Sequence, residues 1–270
     1  MIPCRDNVRT IGRVLESVRP LASQLVVVDS GSRDGTLDLV RSCRDWCELV
    51  LIRTHWRGFV RTKQLALDAC TRPHTLWLDS DEPVSPELAE RVRDAVARGI
   101  DAGEVNRVVE YKGRLLTHSW QPEYRTRLVR TALARSGAAR FEGIDPHDYL
   151  AIDPAHRVER LGGVLIHESF TTFAEHLGNQ IRLQSTHART LAEHGVRTGP
   201  LRLMGSPVTA FLKQLVLKGS WRDGYPGWLA ASTSAAGTLM KHMMLYEHMH
   251  TARQARGAPD DRREAPDNRR

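Results

Sequence analysis

Apolar residues along the first hundred positions form short continuous runs that alternate with segments of helical spacing. The runs cover residues 2–4, 24–29, 49–52 and 75–79 and predict strands. The intervening segments cover residues 8–18, 36–44, 59–69 and 86–98 and predict helices. Strands that are apolar throughout, rather than alternating, indicate a sheet buried on both faces. We therefore expect an α/β fold with a mostly parallel sheet covered by helices.

The second part of the chain has a different pattern. Strands are predicted at residues 105–111, 127–130 and 164–167, and helices at residues 173–193, 207–218 and 229–250. Residues 251–270 are charged and poor in apolar side chains, which is typical of disorder. The expected organisation is an α/β domain over residues 1–170, a helical C-terminal appendage over residues 171–250, and a disordered tail over residues 251–270. Because a central strand needs about five residues, the short first run predicts that the native strand begins upstream of Met1.

Acidic residues stand where two of the predicted buried strands end. Asp29 ends the second strand, Asp79 ends the fourth, and Asp81 and Glu82 come directly after it. Ligands of such sheets bind at the carboxyl ends of the strands. Asp79 and Asp81 are two positions apart and would share one side of an extended segment. Their carboxylates predict a site for a hard divalent cation, Mg²⁺ or Mn²⁺.

Composition and charge argue against several classes of protein. The net charge is +7, but the arginines are scattered and no recognised nucleic-acid-binding motif accompanies them, so we expect no nucleic-acid partner. Cys43 and Cys47 have helical spacing without a second pair, which argues against zinc and favours reduced thiols. The uncharged stretch 224–240 is too polar for a membrane span. We expect a cytoplasmic protein, either soluble or peripheral to the membrane.

Several of these motifs occur together in a known family. They are Ile2-Pro3-Cys4, Val26-Val27-Val28-Asp29-Ser30-Gly31-Ser32 with Asp34-Gly35-Thr36, Trp56-Arg57-Gly58-Phe59 with Lys63-Gln64, and Leu78-Asp79-Ser80-Asp81-Glu82. In order and spacing they resemble family 2 glycosyltransferases, and most of all the lipopolysaccharide-core β-glucosyltransferase branch. Later motifs that are similar to that branch are Tyr111-Lys112-Gly113-Arg114, Arg127-Leu128-Val129 and His147-Asp148. The resemblance covers about residues 1–170.

The resemblance implies a fold, a reaction and a set of ligands. The fold is that of nucleotide-diphospho-sugar transferases (GT-A-like), and the reaction is transfer of a sugar with inversion. The donor is a nucleotide sugar, with UDP as the expected nucleotide. The acceptor is a glycan or a lipid-linked molecule in the synthesis of a bacterial-type, lipopolysaccharide-like surface glycan. The cofactor is a divalent cation.

The resemblance also assigns residues to the donor. Asp29 would contact the nucleotide base, Lys63 or Arg61 would approach the base or the diphosphate, and Asp79 would lie near the ribose and the metal. Asp81, together with Asp79, would ligate the cation. The residues expected to bind the donor are Pro3, Cys4, Asp29, Ser30, Arg61, Lys63, Asp79 and Ser80.

Inverting transfer needs a base that takes the proton of the acceptor hydroxyl. Asp148 aligns with the acid that follows His in the family pattern and is the expected base, with Asp145 and Glu142 as rivals in the same loop. His147 and His167 are candidates for contacts with the diphosphate or the acceptor. A second hypothesis is a catalytically silent relative that binds a nucleotide sugar or glycan and acts through partners.

The region of residues 211–244 combines apolar side chains with Lys213, Lys218, Arg222 and Lys241. One interpretation is an amphipathic region that rests on the inner face of the membrane, where a lipid-linked acceptor is found. The other is a set of helices packed against the catalytic domain. The sequence leaves both interpretations open.

Overall fold

The computed structural model describes residues 1–145, 147–168 and 170–257. In the first hundred residues, strands and helices alternate as the apolar pattern predicts. The strands are β1 (Ile2–Cys4), β2 (Gln24–Asp29), β3 (Glu48–Arg53) and β4 (His74–Leu76). The helices are α1 (Val8–Val18), α2 (Thr36–Ser42), α3 (Phe59–Asp68) and α4 (Pro86–Ala97). Pro86 begins α4 as predicted, and the hydroxyl of Ser85 caps this helix by accepting a hydrogen bond from the Leu88 amide.

The second part contains more strands than the pattern predicts. They are β5 (Ala102–Tyr111), β6 (Arg114–Leu115), β7 (Tyr124–Arg130), β8 (Ala139–Ile144), β9 (His147–Ile152) and β10 (Val158–His167), with the short helix α5 (Thr131–Arg135) after β7. The predictions missed β6, α5, β8 and β9. The β8–β9 hairpin alternates buried and exposed positions and contains charged residues, so it lacks the continuous apolar run that identified the central strands.

The strands form two neighbouring sets, and β8 and β9 form a separate hairpin. β1, β2 and β3 pair in parallel, and the neighbouring set has the order β10-β5-β7-β4, with β7 antiparallel to both β5 and β4. Met1 joins the two sets: its amine donates to the carbonyl of Leu76 (2.7 Å), and the amide of Leu78 donates to the carbonyl of Met1 (3.1 Å). This is the hydrogen-bond pattern of a parallel pair. The predicted fold, a mostly parallel sheet covered by helices, is therefore confirmed, with β6 and β7 as antiparallel strands.

Side chains of β2 show why its run is apolar throughout. Leu25 and Val27 pack on one face of the sheet, against α1, α2 and α4. Val26 and Val28 pack on the other face, against α3 and the β8–β9 hairpin. Because neighbouring residues of a strand point to opposite faces, a strand covered on both sides needs apolar residues at every position. The core thus lies in two layers, one on each face of the sheet.

The C-terminal region is helical, as predicted, with different boundaries. It contains α6 (Phe173–Glu193), α7 (Pro200–Leu212), a π-helical turn (Lys213–Leu217), a 3₁₀ turn (Ser220–Asp223) and α8 (Tyr225–Gly257). The prediction that a helix begins at Pro207 was wrong: Pro207 lies inside α7, and Pro200 occupies the first turn, where its missing amide hydrogen costs no helical hydrogen bond.

The predicted tail and the predicted domain boundary both begin near the end of a helix or strand. α8 continues to Gly257, past residue 251, where the predicted tail begins, and residues 258–270 lie outside the described part of the chain, so the tail stays a prediction. β10 ends at His167 and α6 begins at Phe173, on either side of the predicted boundary at residue 170. The division into domains stays a prediction. Within the described residues, none of the helices has both the length and the hydropathy needed to cross a membrane.

Candidate active site

A cleft of about 1560 Å³ opens at the carboxyl ends of β1 and β4. Its walls come from α3, the segment after β4, the β8–β9 hairpin and α6. Eight of the predicted site residues line this cleft: Pro3, Cys4, Arg61, Lys63, Asp79, Ser80, Asp81 and Asp148. The expected base, Asp148, and the candidate metal ligands are distant in sequence and face one space, as the strand-end argument predicts.

A buried ion network holds the acidic segment after β4 in place. Glu82 is fully buried, and its Oε1 lies 2.6 Å from Nη2 of Arg127 and 3.3 Å from Nη1 of Arg107. The other oxygen of Glu82 accepts a hydrogen bond from the amide of Asp79 (3.1 Å). Arg127 stacks its guanidinium 3.6 Å from the ring centroid of Trp77. Glu82 is thus a positioning residue that orients Asp79 toward the cleft.

Asp79 is held by two cations. Its Oδ1 lies 3.0 Å from Nζ of Lys63, and its Oδ2 lies 3.5 Å from Nη2 of Arg127. Burial by itself raises the pKa of the Asp79 carboxyl, but the positive charges of Lys63 and Arg127 outweigh burial and hold that pKa below its usual value. Asp79 is therefore ionised at neutral pH.

Asp81 faces His167 at the end of β10. Oδ2 of Asp81 is 3.3 Å from Nε2 of His167, and the carbonyl of Asp81 accepts a hydrogen bond from the Glu168 amide (2.9 Å). Burial opposes ionisation of Asp81, but its contacts with His167 dominate and lower the pKa of the carboxyl. Nδ1 of His167 is buried without a hydrogen-bond partner within the described residues.

These groups fit a divalent cation. Asp81 offers a carboxylate oxygen, and His167 is a ring nitrogen donor beside it. In the described part of the chain no three His, Cys, Asp or Glu residues converge on one point. Mg²⁺ is commonly bound through one or two carboxylates, with substrate phosphates and water as the other ligands. Asp81 and His167 therefore offer two ligands for an ion whose other ligands would be a diphosphate and water, while Asp79 lies nearby and contacts Lys63 and Arg127.

Asp148 lies on β9 in the wall of the cleft. It is nearly buried, and its Oδ2 lies 2.8 Å from Nζ of Lys63. Lys63 thus joins Asp79 and Asp148 within one short ion network. The turn that sets the position of Asp148 depends on Gly143, whose φ of +114° disfavours other residues and whose missing side chain leaves room for the backbone carbonyl of His147.

The two rival bases have other partners. Asp145 Oδ1 accepts hydrogen bonds from the amides of Phe59 (3.1 Å) and Val60 (3.4 Å), so it caps the first turn of α3 from outside the helix. Glu142 lies 2.5 Å from Nη2 of Arg140 and accepts a hydrogen bond from the hydroxyl of Tyr149. Asp145 and Asp148 both line the cleft, whereas Glu142 does not, and Asp148 is paired there with a cation, Lys63.

Asp29 and Ser30, both predicted to bind the donor, do not line the cleft in this structure. Asp29 is fully buried, and its carboxylate accepts hydrogen bonds from the amides of Gly31 (3.2 Å) and Ser32 (3.1 Å). Burial, together with Asp29, raises the pKa of the neighbouring Cys4 thiol to about 12, so this thiol is protonated and unreactive at neutral pH. Asp29 therefore shapes its own loop here, and its contact with a base stays a prediction.

The comparison with known proteins decides the family. Residues 1–143 match glycosyl transferase family 2. The chain belongs to this family. It is a glycosyltransferase, as the sequence motifs predicted.

Curated relatives of this glycosyltransferase span nearly its whole length. It is 28% identical to the lipopolysaccharide core biosynthesis glycosyltransferase LpsC of Rhizobium meliloti (strain 1021) over 249 residues, which cover 91% of this chain and 90% of the relative. It is 23% identical to the uncharacterized glycosyltransferase RP128 of Rickettsia prowazekii (strain Madrid E), over 81% of this chain and 76% of that relative.

Solved structures confirm the GT-A-like fold. The mannosyltransferase PcManGT from Pyrobaculum calidifontis, in complex with GDP-Man and Mn²⁺, has a TM-score of 0.51 at 16% identity, covering 90% of this chain and 85% of that chain. S. aureus TarS 1-349 in complex with UDP has a TM-score of 0.50 at 16% identity, covering 94% of this chain and 90% of that chain.

Sequence reasoning missed an aromatic wall on the C-terminal side of this glycosyltransferase's cleft. Trp120, Phe170 and His176 line the cleft, and the rings of Phe170 and His176 lie 4.4 Å apart. Burial lowers the pKa of His176 to about 4, with a smaller contribution from His167, so the ring is neutral at pH 7. Phe170, Phe173 and His176 recur at intervals of three residues, which is the signal that could have identified this cluster.

Proposed function

We propose that this family 2 glycosyltransferase moves a sugar, with inversion, from a nucleoside diphosphate sugar to a glycan or lipid-linked acceptor of a lipopolysaccharide-like surface glycan. UDP is the proposed nucleotide. The likeness to LpsC supports the choice of acceptor class. The observation that carries the proposal is the meeting of Asp79, Asp81 and Asp148 in one cleft, since the reaction needs both a diphosphate site and a base.

The donor would lie across the acidic segment. Asp81, with His167 and Asp79, is proposed to hold one Mg²⁺ or Mn²⁺, which would neutralise the charge that builds on the departing diphosphate. Lys63 and Arg61 line the same side of the cleft and would attract the negatively charged donor. Pro3, Cys4 and Ser80, also in the lining, are proposed to shape the donor pocket.

Asp148 is proposed to be the base. Lys63 holds its Oδ2, which leaves Oδ1 to accept the proton of the acceptor hydroxyl. The hydroxyl oxygen then forms a bond to the anomeric carbon, on the face opposite the diphosphate. The bond from that carbon to the diphosphate oxygen breaks, and its electron pair leaves with the nucleoside diphosphate. Attack from the opposite face inverts the configuration.

Calorimetric binding of UDP, GDP and dTDP, each with and without Mn²⁺, tests the donor site. The expected result is metal-dependent binding of one nucleotide, UDP, by the wild-type chain. Asp81→Ala should abolish that binding while leaving the thermal unfolding curve unchanged. The matched control is Asp38→Ala, because Asp38 is an exposed acid on α2, paired with Arg41, that does not belong to the lining of the cleft as the described residues form it. Its binding should equal wild type.

Two results would contradict the proposal. Unchanged affinity in Asp81→Ala would remove Asp81 from the metal site. Tight binding of the nucleotide without any transfer to a glycan acceptor would instead favour a silent relative that acts through partners.

A further inference from the structure

The outward face of α7 is apolar and exposed. Leu201, Met204, Val208 and Leu212 recur at intervals of three or four residues and therefore share one face of the helix. Leu201 is 91% exposed and Met204 is 75% exposed, and none of the residues of α7 is buried. Large apolar side chains at helical spacing normally pack against another part of the protein. A row of them exposed to water is typical of an interaction site.

The apolar face continues past the end of α7. Leu217 is 81% exposed and Tyr225 is 71% exposed, and Trp221 and Trp228 are half exposed. Phe211 on α7 contacts Trp228 on α8, so the two helices form one surface here. We name this the 201–228 surface. Tryptophan and tyrosine are enriched where a protein meets the boundary between lipid and water.

The exposed charged residues of the segment 194–246, which forms the 201–228 surface, are basic. Between Glu193 and Glu247 the sequence contains one acid, Asp223. Asp223 is buried and accepts hydrogen bonds from the loop before β7, so it contributes no exposed carboxylate. Arg202 and Arg222 are exposed. The surface is therefore apolar with a basic rim.

We propose that the 201–228 surface docks on an anionic lipid bilayer. Exposed apolar side chains enter the boundary region of a bilayer, and basic side chains beside them attract anionic headgroups. A second copy of the chain fits less well. In a symmetric dimer the same surface faces itself, which brings Arg202 and Arg222 of both copies together without acids to neutralise them.

Docking would orient the cleft. Ala210 and Lys213, at the end of α7, line the cleft, so the 201–228 surface adjoins one side of its opening. A protein resting on this surface would hold the cleft close to the headgroup layer. The nature of the acceptor reached there rests on the proposed function, whereas docking itself does not.

Co-sedimentation of the full chain with vesicles tests the proposal without any transfer reaction. One set of vesicles contains phosphatidylglycerol and phosphatidylethanolamine, and the other contains phosphatidylcholine alone. We expect binding to the anionic vesicles, weakened by raising NaCl because salt screens exposed charges, and little binding to the neutral ones. Equal binding to both would overturn the proposed role of the basic rim.

Two sets of variants test the two parts of the surface. Leu212→Glu with Leu217→Glu should lower partitioning at least about tenfold, and so should Arg202→Glu with Arg222→Glu. The matched control is Val158→Glu, because Val158 is an exposed apolar residue at the start of β10, outside this surface. The control should bind vesicles as wild type does.

The same variants test the alternative in which a second copy of the chain covers the 201–228 surface. Vesicle binding that is unchanged in both double variants would refute the proposal. So would a wild-type chain that stays in the supernatant and forms dimers that the leucine variants dissociate, since that result assigns the surface to a second copy. UDP binding, measured on every variant, reports whether the fold and donor site are intact, so a failure of the proposed function remains separate from a failure of docking.

Discussion

Replacing Glu82 by Gln should destabilise the protein strongly. Glu82 is fully buried and pairs with Arg127 at 2.6 Å and Arg107 at 3.3 Å. Gln has nearly the same shape, but it leaves the two arginines without their shared negative charge. Both oxygens of Glu82 accept hydrogen bonds, one from Arg127 and the other from the backbone amide of Asp79. The side-chain NH₂ group of Gln would therefore face one of these two hydrogen-bond donors.

The magnitude follows from burial. Removing one partner of a buried ion pair costs about 3–5 kcal/mol. We take the lower end, about 3 kcal/mol, because Glu123 still pairs with Arg107 and Asp79 still contacts Arg127. For a chain of this size that loss lowers the melting temperature by about 6–12 °C. Thermal and urea unfolding, followed by circular dichroism, measure both quantities.

A surface ion pair provides the control for Glu82. Glu48 lies 2.7 Å from Arg72, and both side chains are about half exposed. Glu48→Gln should therefore cost about 0–1 kcal/mol, since water solvates and screens the exposed charges. If Glu82→Gln lowered the free energy of unfolding no more than Glu48→Gln, the inference that burial makes this network essential would be refuted.

Three further predictions concern the cleft. Asp148→Asn should keep UDP affinity near wild type and abolish transfer in a radiolabelled-sugar assay; full turnover would assign the base to another residue. Asp145→Ala should lower stability by about 1 kcal/mol, as loss of a helix cap does, and retain transfer, whereas complete loss of transfer with stability intact would make Asp145 the base. His176 has a pKa of about 4 in the folded chain and about 6.5 when unfolded, so the unfolded chain binds more protons between these values and stability should fall as pH drops from 6.5 to 4. His176→Gln should reduce that slope in urea unfolding at several pH values, and an unchanged slope would exclude this histidine as a cause.

Local patterns of apolar and acidic residues were enough to predict the central architecture. The run from Leu25 to Val28 is apolar at every position because each residue meets a layer of helices or hairpin on one face or the other. Asp79 and Asp81 follow β4 and line the cleft, because carboxylates leave the core where a strand ends, whereas Glu82 turns back into the core to pair with Arg127. These inferences succeeded because periodicity and strand ends are properties of neighbouring residues.

The different partners of Asp145 and Asp148 depend on contacts between distant parts of the chain. Lys63 and Asp148, which form an ion pair, are 85 positions apart in the sequence. Val60 and the rival base Asp145, which share a hydrogen bond, are also 85 positions apart. Local pattern treats Asp145 and Asp148 as equivalent acids of one loop, but the hairpin turns one toward the amides of α3 and the other toward Lys63. The exposed stripe of α7 was likewise decided by packing. The sequence pattern of an apolar helix face is the same whether another helix or water covers it. Burial depends on contacts that the chain makes only when it folds.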